Sequence, residues 1–389
     1  MSSREVNQKD EAIVQTYDKS ILVTNLKVPE GQNGDSRQRI RRFAVDFCYD
    51  PKYPESCTQE SVYQDVGKEI LDSMFDGYNA CVLAYGHSAS GKTYTMMGEE
   101  ENPGLTPRIC QGLFRRMSEK AVATRIRFNT VISFLEIYNE RVRDLLVSDD
   151  AASTTGSNFS LRVREHPKLG PYVQDLSQHV VSDEESILDY LAIGNSRRST
   201  AATENNIHSS RSHAVFTIRF KQTDDFSFES EVSSKVHLVD LAGSERAGST
   251  QSKTRLKEGA NINKSLVTLG NVISALAESC ETFVNPKEQT VTKTWQPFVP
   301  YRDSVLTWLL KDTLGGNSNT IMIATVSPAS SCLNETINTL RYAKRTKRIV
   351  NQPIINEDPK IKTIRELREE IEKLRSVILT LKVVSILTL

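Results

Sequence analysis

The sequence has no net charge. Lys plus Arg and Asp plus Glu number 49 each, so no overall field draws the chain towards nucleic acid or an anionic surface. Attraction to a polyanionic partner must come from local patches. Cysteine is scarce and unpatterned: Cys48, Cys57, Cys81, Cys110, Cys280 and Cys332 include no C-x-x-C spacing. That argues against a disulfide framework or a cysteine metal site and for reduced cytosolic core thiols. Long apolar runs are missing as well. The longest, near the C-terminus, is broken by Lys382 and is too short to span a bilayer, and no signal-peptide pattern opens the chain. No internal repeat and no linker rich in Pro or Ser interrupts it.

What is present is material for a sizeable core: 38% apolar and 25% charged residues over 389 positions. Val62, Val66, Ile70, Leu71 and Met74 recur at helical spacing and lead into the apolar run Ala80–Tyr85, which reads as a buried strand. Residues 125–137 alternate as a strand, and Val142-Arg143-Asp144-Leu145-Leu146 after them reads as helix. Ser182 with Glu185 forms a capping-box pattern that places a helix start there. Further strands are expected over residues 213–220, 236–240 and 320–326. Strands interleaved with helices indicate one large α/β domain.

Directly after Ala80–Tyr85, and leading into the helix-compatible run Lys92–Met97, comes Gly86-His87-Ser88-Ala89-Ser90-Gly91-Lys92-Thr93, which matches G-x-x-x-x-G-K-[ST]. Small residues let successive backbone N–H groups curl round phosphates, the lysine neutralises β/γ oxygens, and the terminal hydroxyl binds Mg²⁺. Two later segments suit groups that touch a γ-phosphate and release it. One is Asn206–His213, which carries Ser209, Ser210 and Arg211 on a loop before a strand. The other is Asp240-Leu241-Ala242-Gly243-Ser244-Glu245, at the end of an apolar strand.

With these segments in this order, the chain resembles the motor domain of a kinesin. The likeness runs through residues 84–98, Leu135–Glu140, Asn206–His213, Asp240–Glu245, Asn261–Leu266 and Pro300–Ser304. Within that superfamily, Arg164–Lys168, Val305–Lys311 and Ile355–Asp358 are most similar to the third kinesin family, vesicle carriers with an N-terminal motor. The resemblance implies a phosphate-loop NTPase-like α/β fold with a central mixed sheet flanked by helices. It also implies an ATP- and Mg²⁺-dependent, microtubule-stimulated ATPase that travels towards the plus end, in the cytoplasm and on the microtubule cytoskeleton.

Carried over by position, Gly86–Thr93 would cradle the phosphates, with Lys92 on the β/γ oxygens and Thr93, Ser210 and, through water, Asp240 on Mg²⁺. Ser209 and Ser210 would close on the γ-phosphate, and the Gly243 N–H would report it. Arg211 and Glu245 would pair to close the switches and position the attacking water. Tyr94 would pack against adenine or, on the other reading of the residue, sit in the core. Lys168, Lys264, Arg302 and Lys311 are candidates for screened attraction to acidic tubulin; each taken singly is equally a solvated surface charge. Nucleic acid is not an implied partner.

The implied layout is a motor at 1–346, a neck linker at 347–360 and a neck helix or short coil at 361–389. The coil rests on Ile364, Leu367, Ile371, Leu374, Ile378 and Leu381 at alternating spacings of three and four, about three heptads. Two readings of it stand, a homodimer seam or a single helix packed on the domain, and no cargo module follows. Three departures qualify the likeness. The chain starts just after the family's first strand and Arg-x-Arg-Pro turn, so an uncovered sheet edge and an adenine pocket lacking one wall are expected. The loop has His87-Ser88-Ala89 in place of Gln-Thr-Gly or Gln-Thr-Ser, and an alanine at 89 would resist a positive φ. A nucleotide- or microtubule-binding module without motility is the competing expectation; a phosphate-loop GTPase or ATPase unrelated to filaments is a third, and the chain has no Asn-Lys-x-Asp guanine signature to support it.

Overall fold

Alternation along the strands sets the layers. In β4 (Ala80–Gly86), Ala80, Val82 and Ala84 enter one apolar cluster while Cys81, Leu83 and Tyr85 enter another on the opposite face. A strand buried on both faces belongs at the centre of a sheet covered by helices. The computed structural model describes residues 10–28, 39–123, 126–147, 160–167, 170–203, 210–224, 231–245, 253–279, 298–357, 362–364, 367 and 370–378.

The sheet around β4 is mixed. β11 (Glu231–Asp240) and β12 (Asn319–Thr325) flank it in parallel, and β10 (His213–Asp224), β5 (Ile126–Tyr138) and β6 (Arg141–Asp144) continue outward from β11 in antiparallel order. β9 (His179–Val181) pairs with β5, and β13 (Asn356–Glu357) pairs with the start of β11. The described strands place β12 at one end of the order, and six of its seven residues are only half-buried.

One face is covered by three helical pieces. The first is a run from α1 (Gln59–Val62) through a π-helical stretch, Tyr63–Gly67, into α2 (Lys68–Phe75). The others are α4 (Leu105–Ala123) and α5 (Glu184–Thr203), which follow the short α3 (Lys92–Met96) in chain order. Phe134, Phe216 and Phe220 fill this layer without measurable exposure. The other face is covered by α6 (Lys253–Ser279) and α7 (Val305–Leu309) through Leu269, Ile273 and Leu306. A small antiparallel sheet of β1 (Val14–Tyr17), β2 (Ser20–Thr24) and β3 (Ile40–Ala44) packs with α8 (Leu333–Thr346) in a third cluster around Ile13, Phe43 and Leu340. A two-stranded ribbon, β7 (Val163–His166) with β8 (Gly170–Val173), lies against α7.

Two local expectations are corrected. Residues 142–146 do not form a helix: Arg141–Asp144 is β6, hairpinned onto β5 through Asn139 and Glu140 at φ 54° and 60°. Paired positive-φ residues are the two-residue turn that suits strand twist, and they override the helix-like spacing of Val142, Leu145 and Leu146. Nor is Ser182 the cap of α5. Asp183 accepts from the Ser186 N–H at 2.7 Å, and the helix starts one residue later than the capping box implied. The other expected strands are present, each longer or shifted by one residue. Cys81 and Cys110 are buried thiols and Cys48, Cys57 and Cys332 half-buried ones, none of them in a disulfide; Cys280 lies outside the described residues.

Beyond α8, residues 351–357 run along the domain rather than away from it. Asn351 Nδ2 donates to the carbonyl oxygens of Thr313 and Ser318, and the Ile354 N–H donates to Asn317 Oδ1 at 2.6 Å. The Asn356 N–H and its side-chain amide both donate to the Gly77 carbonyl. In the following helical residues, Ile364, Leu367, Ile371, Leu374 and Ile378 are each about half exposed, so this seam is not packed on the domain. Leu381 lies outside the described residues.

Candidate active site

The parallel pairing of β4 with β11 sets Asp240 level with Ala84, so both strands deliver their C-terminal loops to one edge of the sheet. Ligand sites in parallel sheets form at such carboxyl ends. The two loops are also stitched together, since Leu241 N–H donates to Ala84 O at 3.3 Å and Ser244 N–H to Gly86 O at 3.0 Å.

Within Gly86–Thr93 the chain curls tightly. Ala89 has φ 61° and Gly91 φ 103°, so the strain expected at 89 is present. Gly86 is packed against Thr325 and Ser90, where any Cβ would collide with the Thr325 backbone. Ser90 Oγ bonds both His87 O at 2.7 Å and Thr325 Oγ1 at 2.6 Å, tying the loop to β12. Lys92 is only 6% exposed, and its ammonium donates to Gly86 O at 2.9 Å and His87 O at 2.8 Å. Burial lowers its pKa, opposed by the negative charges of Asp240 and Glu245.

Asp240, at 1% exposure, is the charged centre. Its Oδ2 accepts from Thr93 Oγ1 at 2.7 Å and from Arg198 Nη1 at 2.7 Å, while Oδ1 is buried with no hydrogen-bond partner. A buried, unpartnered carboxylate oxygen is costly unless something else meets it. With the Thr93 hydroxyl beside it, this donor set is hard oxygen throughout and fits a Mg²⁺ ion. Arg198 was not singled out from the sequence. It lies on α5, far from either loop in the chain, and its only sequence signal is a charged pair, Arg197-Arg198, late in an otherwise unremarkable helix.

The switch segments meet the loop directly. Gly243 N–H donates to Ser210 O at 2.8 Å, joining the two later segments. Glu245 is held by Ser88, whose N–H donates to Oε2 at 2.8 Å and whose hydroxyl donates to Oε1. A Cβ on Gly243 would strike Ser88 Oγ and the Glu245 carboxylate and would have to displace both. Arg211 is half-buried beside Ser210; Ser209 lies outside the described residues. Tyr94 is 47% exposed with its hydroxyl accepting from Asn102 Nδ2 at 3.1 Å, so it is not a core residue.

On another face, two of the four candidate cations come together. Arg302 Nη2 donates to Glu165 Oε2 at 2.5 Å and Lys311 Nζ to Glu165 Oε1 at 2.7 Å, with the Arg302 guanidinium 5.5 Å from the centre of the Trp308 ring. Hydrogen bonds from Lys311 and then Arg302 pull the Glu165 carboxyl down to about 2. Lys264 is exposed on α6, the helix that packs against α7, and Lys168 lies outside the described residues.

This constellation of phosphate loop, two bonded switch segments and separate basic surface agrees with the family comparison, in which the kinesin motor domain model matches residues 1–349. The chain belongs to the kinesin motor family. It is 53% identical over 384 residues to the human kinesin-like protein KIF16B, covering 97% of this chain and 28% of that protein. It is 51% identical over 390 residues to Drosophila melanogaster Klp98A, covering 97% of the chain and 30% of the relative. The kinesin chain described here thus spans less than a third of these curated relatives. Among solved structures, it superposes on a KIF14 dimer in a two-heads-bound state with AMP-PNP in complex with a microtubule. There the TM-score is 0.80 and the identity 44%, covering 94% of this chain and 96% of that one. A fast kinesin gives a TM-score of 0.75 at 34% identity, covering 92% and 91%.

Proposed function

We propose that the chain is the head of an ATP-driven, plus-end-directed microtubule motor of the vesicle-transport type, acting in the cytoplasm on the microtubule cytoskeleton. One observation carries the reading: the Gly243 N–H and the Glu245 carboxylate, the two groups a γ-phosphate sensor and a water-positioning pair require, are tied to the neighbouring loops by exchangeable hydrogen bonds, one from Gly243 to Ser210 O and two to Glu245 from Ser88. For Gly243 to meet a γ-phosphate it must leave Ser210 O, and for Glu245 to pair with Arg211 it must leave Ser88. Phosphate binding and release therefore trade bonds within one connected network.

In this scheme Gly86–Thr93 cradles the phosphates, Lys92 turns its ammonium from the loop carbonyls to the β/γ oxygens, and the exposed Tyr94 ring faces the base. Thr93, Ser210 and, through water, Asp240 hold Mg²⁺, which would neutralise charge between the β- and γ-phosphates. Arg198 holds the Asp240 carboxylate in place through its ion pair. Ser209 and Ser210 close the γ side. Lys168, Lys264, Arg302 and Lys311 face acidic tubulin. Residues 1–346 form the motor, 347–360 the linker that swings or docks along Gly77 and Asn317, and 361–389 a neck helix whose half-exposed seam pairs with a second copy. Relatives such as KIF16B, Klp98A and KIF1B, and a neighbour solved with AMP-PNP on a microtubule, support the assignment.

Steady-state ATPase with and without microtubules tests it. Strong stimulation is the expected result. Co-sedimentation with microtubules without stimulation would assign a binding module without motility, and turnover indifferent to microtubules would remove the filament reading.

A further inference from the structure

His213 opens β10 immediately after Ser210-Arg211-Ser212 and is 2% exposed. Its ring makes two bonds at opposite corners. The Ala242 backbone N–H donates to Nδ1 at 3.0 Å, and Nε2 lies 2.7 Å from Ser265 Oγ on α6. A backbone amide only donates, so Nδ1 is an acceptor and carries no proton. The neutral ring then bears its hydrogen on Nε2 and donates it to Ser265. Burial, with the nearby charges of Arg198 and Lys92, pushes the ring's pKa down to about 3, which keeps the ring neutral.

The consequence is a rigid strut between three elements. Ala242 precedes Gly243, whose own N–H is bonded to Ser210 O, so the γ-sensing peptide lies one residue from the strut. Ser265 is 2% exposed, on the same helix as Leu269 and Ile273, which pack under the sheet beside α7. No flexible linkage intervenes: an aromatic ring has no internal rotor between its two nitrogens.

We propose that His213 is a positioning residue that transmits the position of the Ala242–Gly243 backbone to α6 through Ser265, making it the tie between nucleotide sensing and the helix. The inference rests on the motor reading above. It places the coupling in a neutral imidazole outside the phosphate-binding groups and predicts that the tie can be cut at its far end without harming nucleotide chemistry.

The test uses the full chain with Ser265→Ala, Ser265→Thr and His213→Asn. Asparagine keeps an acceptor for the Ala242 N–H but cannot reach Ser265. Ser265→Ala should leave nucleotide affinity and basal turnover within about twofold and lower the microtubule-stimulated kcat about five- to tenfold, the scale of one buried hydrogen bond. Ser265→Thr should restore it, and adding His213→Asn to Ser265→Ala should cost little more, because both cut one link. Wild-type stimulation in Ser265→Ala, or an equal loss of basal and stimulated turnover, would overturn the tie. Hydrogen–deuterium exchange across α6 with ADP and with AMP-PNP gives a readout that needs no filament. A nucleotide-dependent change in the wild type should vanish in Ser265→Ala, and its persistence would overturn the inference even if the motor reading stood or fell separately.

Discussion

Lys92 and Ala89 have opposite standing in the same loop. Lys92 is buried, and its ammonium is satisfied by two carbonyls of its own loop, so replacing it by alanine leaves those oxygens unpartnered and removes the phosphate charge. We expect Lys92→Ala to abolish nucleotide binding; an unchanged affinity by calorimetry would refute its assignment. Ala89 instead carries a cost. An L-residue held at positive φ gives up roughly 1–2 kcal/mol, of which glycine's freedom in the unfolded chain takes back about 0.5–1 kcal/mol. Ala89→Gly is therefore expected to raise the melting temperature by about 1–2 °C by scanning calorimetry, and a lowered one would mean that the φ of 61° is not strained here. The strain at Ala89 was legible in the sequence because a phosphate loop prescribes its residue types locally. Arg198 was not, since a buried partner for Asp240 that arrives from a distant helix leaves no local pattern.

Elements show the same division. The buried strands could be read from composition, because two covered faces demand continuous apolar residues, whereas β6 was misread because Val142, Leu145 and Leu146 imitate helical spacing. The signal that decides it, Asn139-Glu140 as a paired positive-φ turn, is a matter of turn chemistry. The basic surface could be read as single cations but not as a cluster. Glu165, placed between Arg302 and Lys311 by the β7–β8 ribbon and α7, offsets one of their two charges. Removing that carboxylate charge should strengthen attraction to an acidic filament. Glu165→Gln is expected to tighten microtubule binding about two- to fivefold at low salt, with the difference fading as salt rises. Weaker binding in co-sedimentation would instead give Glu165 the task of holding the two cations in register.

At the scale of the whole molecule, two buried imidazoles make stability depend on pH. His213 is held down to about 3 and His237 well below the ordinary histidine value of 6.5, each mainly by burial. Both folded-state pKa values lie below the unfolded one. As pH falls through the ordinary histidine range the unfolded chain therefore takes up protons that the folded chain cannot. Stability is fully present above about pH 7 and falls by up to roughly 1.4 kcal/mol per pH unit for each ring below about 6.5. The urea midpoint is expected to drop between pH 7.5 and 5.5; an unchanged midpoint would mean that the rings titrate as freely in the folded protein as in the unfolded one.

β11 has Asp240 at one end and, at the other, Val232 and Ser233 paired with Glu357 and Asn356 of the segment after α8. Ten residues of extended chain, about 33 Å, thus join the site of phosphate chemistry to the docked segment. Yet β11 is clamped by β10 along its whole length and by β4 along half of it, and a one-residue slip would turn every side chain to the wrong face. It cannot be the messenger between its own ends. In the proposed motor it would be the stator, a fixed reference against which α6 and the docked segment move.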